Sequence, residues 1–301
     1  MTAGIRSVLA VAFTIGIVVL WNGCGEGDTT APLEADGRLI AFWSDSGTTR
    51  GTSIFLMHAD GSGTTRLTGD GAFDQSPVWS PDGRTISFDS DRLGGRSQVW
   101  AIDSDGSNPR LLVDGFTARW SPDGTKLAYT AQVPNGTYVV FISNSDGSSP
   151  KRLTTNPAGE VRAAWSPDGR KIVFSAYPTF TDMNLYVVNS DGTGQIQLTT
   201  TSGFSQAATW SPDGTQIAFE HGAANELAAI HVINADGTND RTLTALGCGS
   251  PAWSPNGRQI AYDCVRDFRP QIYRMNADGS NKHVLTSPGF YSGGPSWKPV
   301  D

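Results

Sequence analysis

A five-residue sequence recurs through most of the chain, and this repeat limits the possible folds more than any other feature. Trp-Ser-Pro-Asp-Gly, with Asn for Asp in the fifth copy, begins at Trp79, Trp120, Trp165, Trp210 and Trp253. A sixth tryptophan follows at Trp297, and the successive intervals are 41, 45, 45, 43 and 44 residues. A fixed period of this length is typical of propellers and solenoids, in which each repeat forms one supersecondary unit.

One period contains four short apolar segments. In the copy that begins at Trp165 they are 163–165, 171–174, 185–188 and 196–199. Ser-Pro-Asp-Gly separates the first two and Asp191-Gly192 the last two. Pro-Asp-Gly favours a tight turn because proline presets φ, aspartate bonds to its own backbone and glycine accepts a positive φ. Four antiparallel strands in about 40 to 45 residues predict one blade of a β-propeller.

The repeat is divided between the two ends of the chain. Residues 36–42 (DGRLIAF) match the second half of the motif without a preceding tryptophan, and Pro295-Ser296-Trp297 match the first half. We expect these segments to pair within one blade, which closes the ring and removes two exposed sheet edges. The Asp-Gly turn that separates the last two strands of a repeat occurs six times, at Asp60, Asp105, Asp146, Asp191, Asp236 and Asp278. The sequence therefore predicts an all-β, six-bladed propeller of four-stranded antiparallel blades over residues 36–301.

These pentapeptides resemble the TolB-like propeller repeat family, often grouped as WD40-like, over roughly residues 36–301. The Gly-His and Trp-Asp signatures of true WD repeats do not occur in the chain. TolB itself has an α/β domain ahead of its propeller. We expect that domain to be missing, since only a short segment separates Cys24 from the first half-motif. The resemblance therefore implies the fold without implying a role in the Tol–Pal system.

The N-terminal segment reads as an export signal. Arg6 precedes a short apolar run over residues 8–20, and Gly23-Cys24 follows. That run is too short for an ordinary transmembrane helix. We predict a signal peptide over residues 1–23, a lipid acceptor at Cys24 and a flexible tether over 24–35. The protein would then be exported and membrane-anchored, in the periplasm or at the cell surface. A secreted protein with an incidental cysteine is the alternative.

Cys248 and Cys264 flank the turn 255–257 symmetrically, so they should face each other across adjacent strands. No other blade has cysteine at either position. In an oxidising exported compartment this pattern favours a disulfide. Two free thiols are the alternative, and a metal site is disfavoured because no histidine or third cysteine lies nearby in sequence.

The sequence offers little support for catalysis, cofactors, metals or nucleic acid. The formal net charge is −7, and no basic run could bind a phosphate backbone. The four histidines occupy unrelated positions in the repeat, and no GxSxG, HExxH or Walker-type motif occurs. The loop 103–108 alternates acidic and polar residues but lacks the closing glutamate of a calcium loop. We therefore predict a protein that is not an enzyme and has neither cofactor nor metal.

The loops that vary among the repeats carry the candidate binding residues. Those loops lie on the side of the blades opposite the repeated turns, beside the channel mouth, where aromatic, arginine and acidic side chains are typical of interaction surfaces. The candidates are Asp74, Gln75, Arg119, Glu160, Arg162, Gln206, Phe268 and Tyr291. The favoured function is a protein-interaction or assembly scaffold at the bacterial cell envelope. The alternative is a carbohydrate-binding or oligogalacturonate lyase-like propeller, which would need a metal-bearing histidine cluster. A regulatory propeller of a serine peptidase would need a catalytic domain.

Overall fold

The computed structural model describes residues 38–48, 50–154, 159–178, 182–224 and 226–300. In these ranges the chain forms 24 strands arranged as six four-stranded antiparallel sheets. The predicted all-β, six-bladed propeller is therefore confirmed. None of the described segments is a helix long and apolar enough to cross a lipid bilayer. The predicted signal peptide (1–23), lipid acceptor Cys24 and tether (24–35) lie outside the described residues.

Each sheet is one blade, and its strands are numbered in chain order. Blade 1 contains β1 (Leu39–Ser44), β2 (Ser53–His58), β3 (Thr65–Arg66) and β24 (Ser292–Trp297). Blade 2 contains β4 (Gln75–Trp79), β5 (Thr85–Ser90), β6 (Gln98–Asp103) and β7 (Arg110–Val113). Blade 3 contains β8 (Phe116–Trp120), β9 (Lys126–Gln132), β10 (Tyr138–Asn144) and β11 (Lys151–Arg152). Blade 4 contains β12 (Glu160–Trp165), β13 (Lys171–Ala176), β14 (Asn184–Asn189) and β15 (Ile196–Gln197). Blade 5 contains β16 (Phe204–Trp210), β17 (Gln216–Gly222), β18 (Ala229–Asn234) and β19 (Arg241–Thr242). Blade 6 contains β20 (Cys248–Trp253), β21 (Gln259–Arg266), β22 (Arg269–Asn276) and β23 (His283–Val284).

Blade 1 joins the two ends of the described chain. Its first strand is β24, which pairs antiparallel with β1 and places Ile40 opposite Trp297. The first strands of the six blades (β24, β4, β8, β12, β16 and β20) each contact the first strands of both neighbouring blades. These six strands therefore surround the central channel, and the short fourth strands lie at the outer rim.

The repeated tryptophans fill the wedges between blades. Trp79 of blade 2 packs on Ala41 and Ile54 of blade 1, and Trp210 of blade 5 packs on Val173 of blade 4. The other four tryptophans occupy the same position in the remaining inter-blade clusters. A large aromatic side chain suits this site because it covers the apolar surface of the adjacent sheet. Most of the core is therefore divided among six interfaces between blades.

The two ends of the blades differ in their connections. The Trp-Ser-Pro-Asp-Gly turns and the Asp-Gly turns lie at one end, which we call the turn face. The loops between second and third strands, and those that lead into the next blade, lie at the other end, which we call the loop face. The mouth of the channel on the loop face is where the first strands begin and the second strands end.

Candidate functional site

Every first strand contains a β-bulge near its loop-face end. The register with the second strand shifts there in all six blades. One residue in each bulge has a φ between 50° and 58°, and these residues are Ser76, Thr117, Arg162, Ala207, Ser250 and Gly294. A bulge takes one residue out of the ladder and re-aims its neighbours. It therefore frees backbone N–H groups at the channel mouth.

Side chains from the preceding blade accept hydrogen bonds from these N–H groups. Asp89 accepts one from Thr117 N at 2.8 Å, and Glu220 accepts one from Ser250 N at 2.6 Å. Asp263 accepts one from Gly294 N at 2.9 Å. The acceptors all lie ten residues after a motif tryptophan, on the second strand. We call this position of the repeat the channel ring; its members are Asp89, Thr130, Ser175, Glu220 and Asp263, with Trp43 at the aligned position of the half-motif in blade 1.

The two aspartates of the channel ring hold their protons more tightly than exposed carboxyls do. Burial raises the pKa of Asp89 to about 6, against the opposing effects of the Thr117 N–H and of the positive charges of Arg119 and Arg162. Burial also raises the pKa of Asp263 to about 6, and the charge of Glu220 raises it further. Both carboxyls therefore change charge near neutral pH.

Two arginines from the first strands face these carboxyls. Burial lowers the pKa of Arg119 to about 10, although the charge of Asp89 opposes that shift. Arg162 acts electrostatically on Asp89, Arg119 and Asp263, which belong to three other blades. The channel mouth therefore combines three carboxyl and two guanidinium groups contributed by blades 2 to 6. Such a ring can donate and accept charge-assisted hydrogen bonds with a polar segment that enters the channel.

Four of the predicted binding residues lie at this mouth. Gln75 begins β4 opposite Asp89 in the register, and Arg119 lies in β8. Arg162 occupies the bulge of β12. Gln206 in β16 donates a hydrogen bond from Nε2 to Glu220 Oε2 at 3.0 Å. The structure therefore brings these four residues together around the channel ring.

Two other predicted binding residues are buried. Asp74 is 1% exposed, pairs with Arg92 at 2.9 Å and accepts a hydrogen bond from Ser90 Oγ at 2.6 Å. Glu160 is 0% exposed and accepts a hydrogen bond from Thr154 Oγ1. Both carboxylates stabilise their own surroundings, and neither has a surface that a partner could reach in this conformation. Their role in binding stays a prediction.

Asp74 and Glu160 occupy the same repeat position as Cys248, where first and second strands are linked at the loop face. The predicted disulfide between Cys248 and Cys264 is present, with an S–S distance of 2.03 Å. In blade 5 the same link is a hydrogen bond between Ser205 Oγ and His221 Nδ1 at 2.9 Å. This position of the repeat therefore has the same place in these blades, while the kind of side-chain link between the two strands differs.

Phe268 and Tyr291, the last predicted binding residues, lie on the loop face in an apolar setting. Of the fourteen exposed large hydrophobic side chains among the described residues, ten lie on this face. They are Phe73, Leu93, Tyr138, Phe204, Leu227, Leu246, Val265, Phe268, Phe290 and Tyr291. Three of the others lie on outer strands, and Val300 lies near the chain end. Exposed apolar surface concentrated on one face is typical of an interaction site.

Sequence analysis missed the three acidic residues of the channel ring, Asp89, Glu220 and Asp263. Each lies inside a segment that reads as an ordinary strand, so none stood out as a loop residue. A signal was nevertheless present, because aligning the repeats on their tryptophans places all three at one position. The histidines occupy unrelated positions in the repeat, and the structure nevertheless brings the rings of His221 and His231 to within 5.3 Å of each other.

Comparison with known proteins gives one family and several partial relatives. Residues 114–301, more than half of the chain, match the model of the TolB beta propeller domain family. Over 61 residues the chain is 41% identical to the Tol-Pal system protein TolB of Zymomonas mobilis. The aligned segment covers 20% of this chain and 13% of that protein. Over 38 residues it is 47% identical to the uncharacterized peptidase YuxL of Bacillus subtilis. That aligned segment covers 13% of this chain and 6% of the peptidase. The chain thus aligns with less than a fifth of the length of either relative.

Among solved structures, TolB of Acinetobacter baumannii superposes with a TM-score of 0.79 at 21% identity. The superposition covers 88% of this chain and 68% of the other. At this identity the likeness supports the propeller fold, and function has to be argued from the residues of the site.

Proposed function

Since this chain belongs to the TolB beta propeller domain family, we propose that it is a non-catalytic protein-interaction or assembly scaffold at the bacterial cell envelope. Binding would use the loop face and the mouth of the channel. The observation that supports this most is the asymmetry of the surface, because ten of the fourteen exposed large hydrophobic side chains in the described part of the chain lie on the loop face. The name of the Zymomonas relative, a Tol-Pal system protein, is in keeping with an assembly role.

The loop face has the composition of a protein interface. Exposed aromatic side chains such as Phe268, Phe290 and Tyr291 lie close to arginines, and Arg269 stacks over the ring of Tyr291 at 5.1 Å. Aromatic and arginine side chains dominate the binding energy of many interfaces because they bury large areas and also form directed polar contacts. A partner that covers this face would bury apolar surface that water now contacts.

The channel mouth would add specificity. Arg119 and Arg162 can donate to carboxylates or carbonyl groups, and Asp89 and Asp263 can accept from amides or cations. Since the guanidinium groups come from blades 3 and 4 and the carboxyls from blades 2, 5 and 6, a segment with the wrong charge pattern would meet repulsion as well as attraction at the channel mouth. The apolar loops would then supply affinity, and the ring would select the segment.

We further propose export and anchoring through a lipid on Cys24, with the propeller in the periplasm or at the cell surface. The disulfide between Cys248 and Cys264 supports an oxidising compartment, because such bonds persist there. Labelling cells with a radioactive fatty acid tests the anchor. A Cys24→Ser variant should lose the label and leave the membrane fraction, and equal labelling of both chains would contradict the anchor.

The binding proposal can be tested by capture from envelope extract. The full chain is immobilised beside an Arg119→Ala/Arg162→Ala variant and a matched Arg170→Ala/Arg258→Ala variant, which removes two charges from the turn face. We expect the wild type and the turn-face variant to retain the same proteins and the channel variant to lose them. Equal retention by all three, or equal loss in both variants, would contradict binding at the channel mouth.

The carbohydrate alternative is tested in parallel on a glycan array. The lyase-like version needs a metal-binding cluster, and the described residues contain no group of three or more His, Cys, Asp and Glu placed to hold a metal. A specific glycan signal that the Arg119→Ala/Arg162→Ala variant loses, together with no captured protein, would replace the scaffold proposal with glycan binding.

A further inference from the structure

The hairpin of blade 6 differs from its counterparts in the other blades. Its strands β21 and β22 each have eight residues and are joined by Asp267 and Phe268 alone. The other five blades use longer connections between these strands, at 45–52, 91–97, 133–137, 177–183 and 223–228. The ladder therefore continues to the tip, where Arg266 pairs with Arg269.

The tip holds a bulky side chain in a conformation that favours glycine. The φ angles of Asp267 and Phe268 are 51° and 63°. Two consecutive positive φ values are what a type I′ hairpin turn requires, and Asn-Gly is the usual sequence there. Phenylalanine is unfavourable at such a position. Phe268 is nevertheless 80% exposed, the highest value among the large hydrophobic side chains described. The turn therefore presents Phe268 to solvent in a backbone conformation that is unfavourable for phenylalanine.

Several contacts keep this hairpin rigid up to its tip. The disulfide links Cys264 in β21 to Cys248 in β20, and Val265 N donates to Gly247 O at 2.8 Å. On the other strand, Gln271 Nε2 donates to Phe290 O at 2.6 Å. Arg269 donates to Gly289 O and stacks over Tyr291. Side chains presented by a rigid support lose little entropy on binding, and this makes them effective anchors.

The charges beside Phe268 indicate what it would contact. Arg266 is exposed, and among the described residues it forms no ion pair. With Arg269 on the opposite strand and Asp267 between them, the tip has a net positive charge on a chain whose formal net charge is −7. Guanidinium groups flanking an aromatic ring are complementary to an apolar pocket bordered by carboxylates. An anionic membrane is less compatible, because the acidic chain as a whole would be repelled from it.

We propose that Phe268 is the main anchor for the protein partner, inserting into an apolar pocket whose rim carries carboxylates that pair with Arg266. This inference rests on the proposed scaffold function and names one determinant of it. The loop-face aromatics Phe290 and Tyr291 would lie at the edge of the same contact. The disulfide would act as the support that holds the anchor in place.

Site-specific photo-crosslinking in cells that naturally express the full chain tests the position of the anchor. p-Benzoylphenylalanine replaces Phe268 in one variant, Phe73 on the loop face in a second and Leu111 on an outer strand in a third. We expect one discrete protein adduct from position 268 and none from position 111. Crosslinks to lipid only, or no adduct at 268, would overturn the proposal. An adduct at position 73 without one at 268 would overturn the anchor and leave the scaffold function standing, whereas silence at all three positions would contradict both.

A second experiment measures the affinity of the chain for the partner that crosslinking identified, once that partner has been purified. Phe268→Gly should weaken binding by about 30-fold or more while the thermal unfolding temperature stays the same or rises, since glycine suits a positive φ. Arg266→Glu should weaken binding by about 10-fold and Arg266→Lys by less, because lysine keeps the charge. Leu111→Ala, a control on the outer strand of blade 2, should change affinity by less than about 2-fold. Unchanged affinity in Phe268→Gly, or a loss of affinity accompanied by a lower unfolding temperature, would overturn the proposal.

Discussion

The turn face and the loop face are built from the same repeat but use it differently. On the turn face, Ser80 Oγ donates to Asp82 at 2.6 Å, and the same bond at 2.6 Å joins Ser166 to Asp168 and Ser211 to Asp213. On the loop face, one repeat position holds a disulfide in blade 6, a serine–histidine bond in blade 5 and an aspartate–arginine pair in blade 2. The turn face therefore repeats the same side-chain hydrogen bond in these blades, whereas the link between strands on the loop face differs from blade to blade.

The two faces differ because the residues at each face contact different parts of the molecule. A turn on the turn face closes within its own blade, so one arrangement of serine, aspartate and backbone amide serves blades 2 to 5, and asparagine takes the place of aspartate in blade 6. The loop-face ends of the strands meet the channel, the next blade and solvent, and each blade has different neighbours there. The framework can thus stay constant while the loop face differs enough to recognise one partner.

Loss of the disulfide should have the largest effect on stability and should test whether the loop face is held as firmly as the turns. The bond joins cysteines separated by 16 residues. For a loop of that length, the Cys248→Ser/Cys264→Ser variant should lose about 3 kcal/mol of unfolding free energy, because the unfolded chain gains freedom. Urea unfolding measures the loss, and reducing the wild type should reproduce it. A loss below about 1 kcal/mol would mean that the strand pairing alone holds this end.

A change at the channel ring should have an intermediate effect that depends on pH. Asp89 has a pKa of about 6 in the folded protein, whereas an unfolded aspartate titrates near 3.9. The folded state therefore binds this proton more tightly, and the stability due to Asp89 is complete below about pH 4 and lost as pH rises through 6. Asp89→Asn should be more stable than the wild type by about 1–2 kcal/mol at pH 7.5, because asparagine removes the cost of burying the charge.

That advantage should disappear near pH 4, where Asp89 is protonated and uncharged in the wild type. Urea unfolding at the two pH values measures it, and Asp263→Asn should behave in the same way because its pKa is also raised to about 6. A variant less stable than the wild type at pH 7.5 would show that the bond to Thr117 outweighs the cost of burying the charge.

A change on the turn face should have the smallest effect, equal from blade to blade. Asp168 accepts hydrogen bonds from Ser166 Oγ at 2.6 Å and from Arg170 N at 3.0 Å. These bonds lower the pKa of Asp168, with the serine hydroxyl as the largest cause. Asp168→Ala should cost about 0.5 kcal/mol at pH 7, and the cost should vanish as pH falls below the range in which the wild-type carboxyl is ionised. Asp213→Ala should agree within a few tenths of a kcal/mol in urea unfolding, and unequal costs would contradict a uniform framework.

Most of the fold could be predicted because its determinants are local and repeated. The tryptophan period marked the blades, and Asp-Gly turns marked the hairpins. The half-motif that leads into Ile40 indicated its pairing with the strand that ends at Trp297. The disulfide was predicted from two cysteines equidistant from a tight turn. In the structure the bulge in β20 shifts the register by one residue, and this shift places Cys248 opposite Cys264.

The site was less predictable because the bulges change which way side chains point. In a regular strand residues two positions apart point to the same face, so Glu160 could be expected beside Arg162, and Asp74 beside Ser76, at an exposed mouth. The bulge in each first strand interrupts that alternation and is not visible in the repeat. Asp74 and Glu160 consequently lie in buried cross-strand positions, and Arg162 adopts the bulge conformation at the channel.

The sequence by itself determined the number of blades and the four strands in each, because turn chemistry and apolar alternation act over a few residues. The pairing of the first strand with the last was predicted from the motif that is divided between the two ends of the chain. Only the tertiary structure decided that Asp89, Glu220 and Asp263 share the mouth of the channel with Arg119 and Arg162. It also decided that Phe268 is the most exposed of the described apolar side chains, on a braced hairpin. Both features depend on residues from different strands or blades, and long-range packing, not local propensity, brings such residues together.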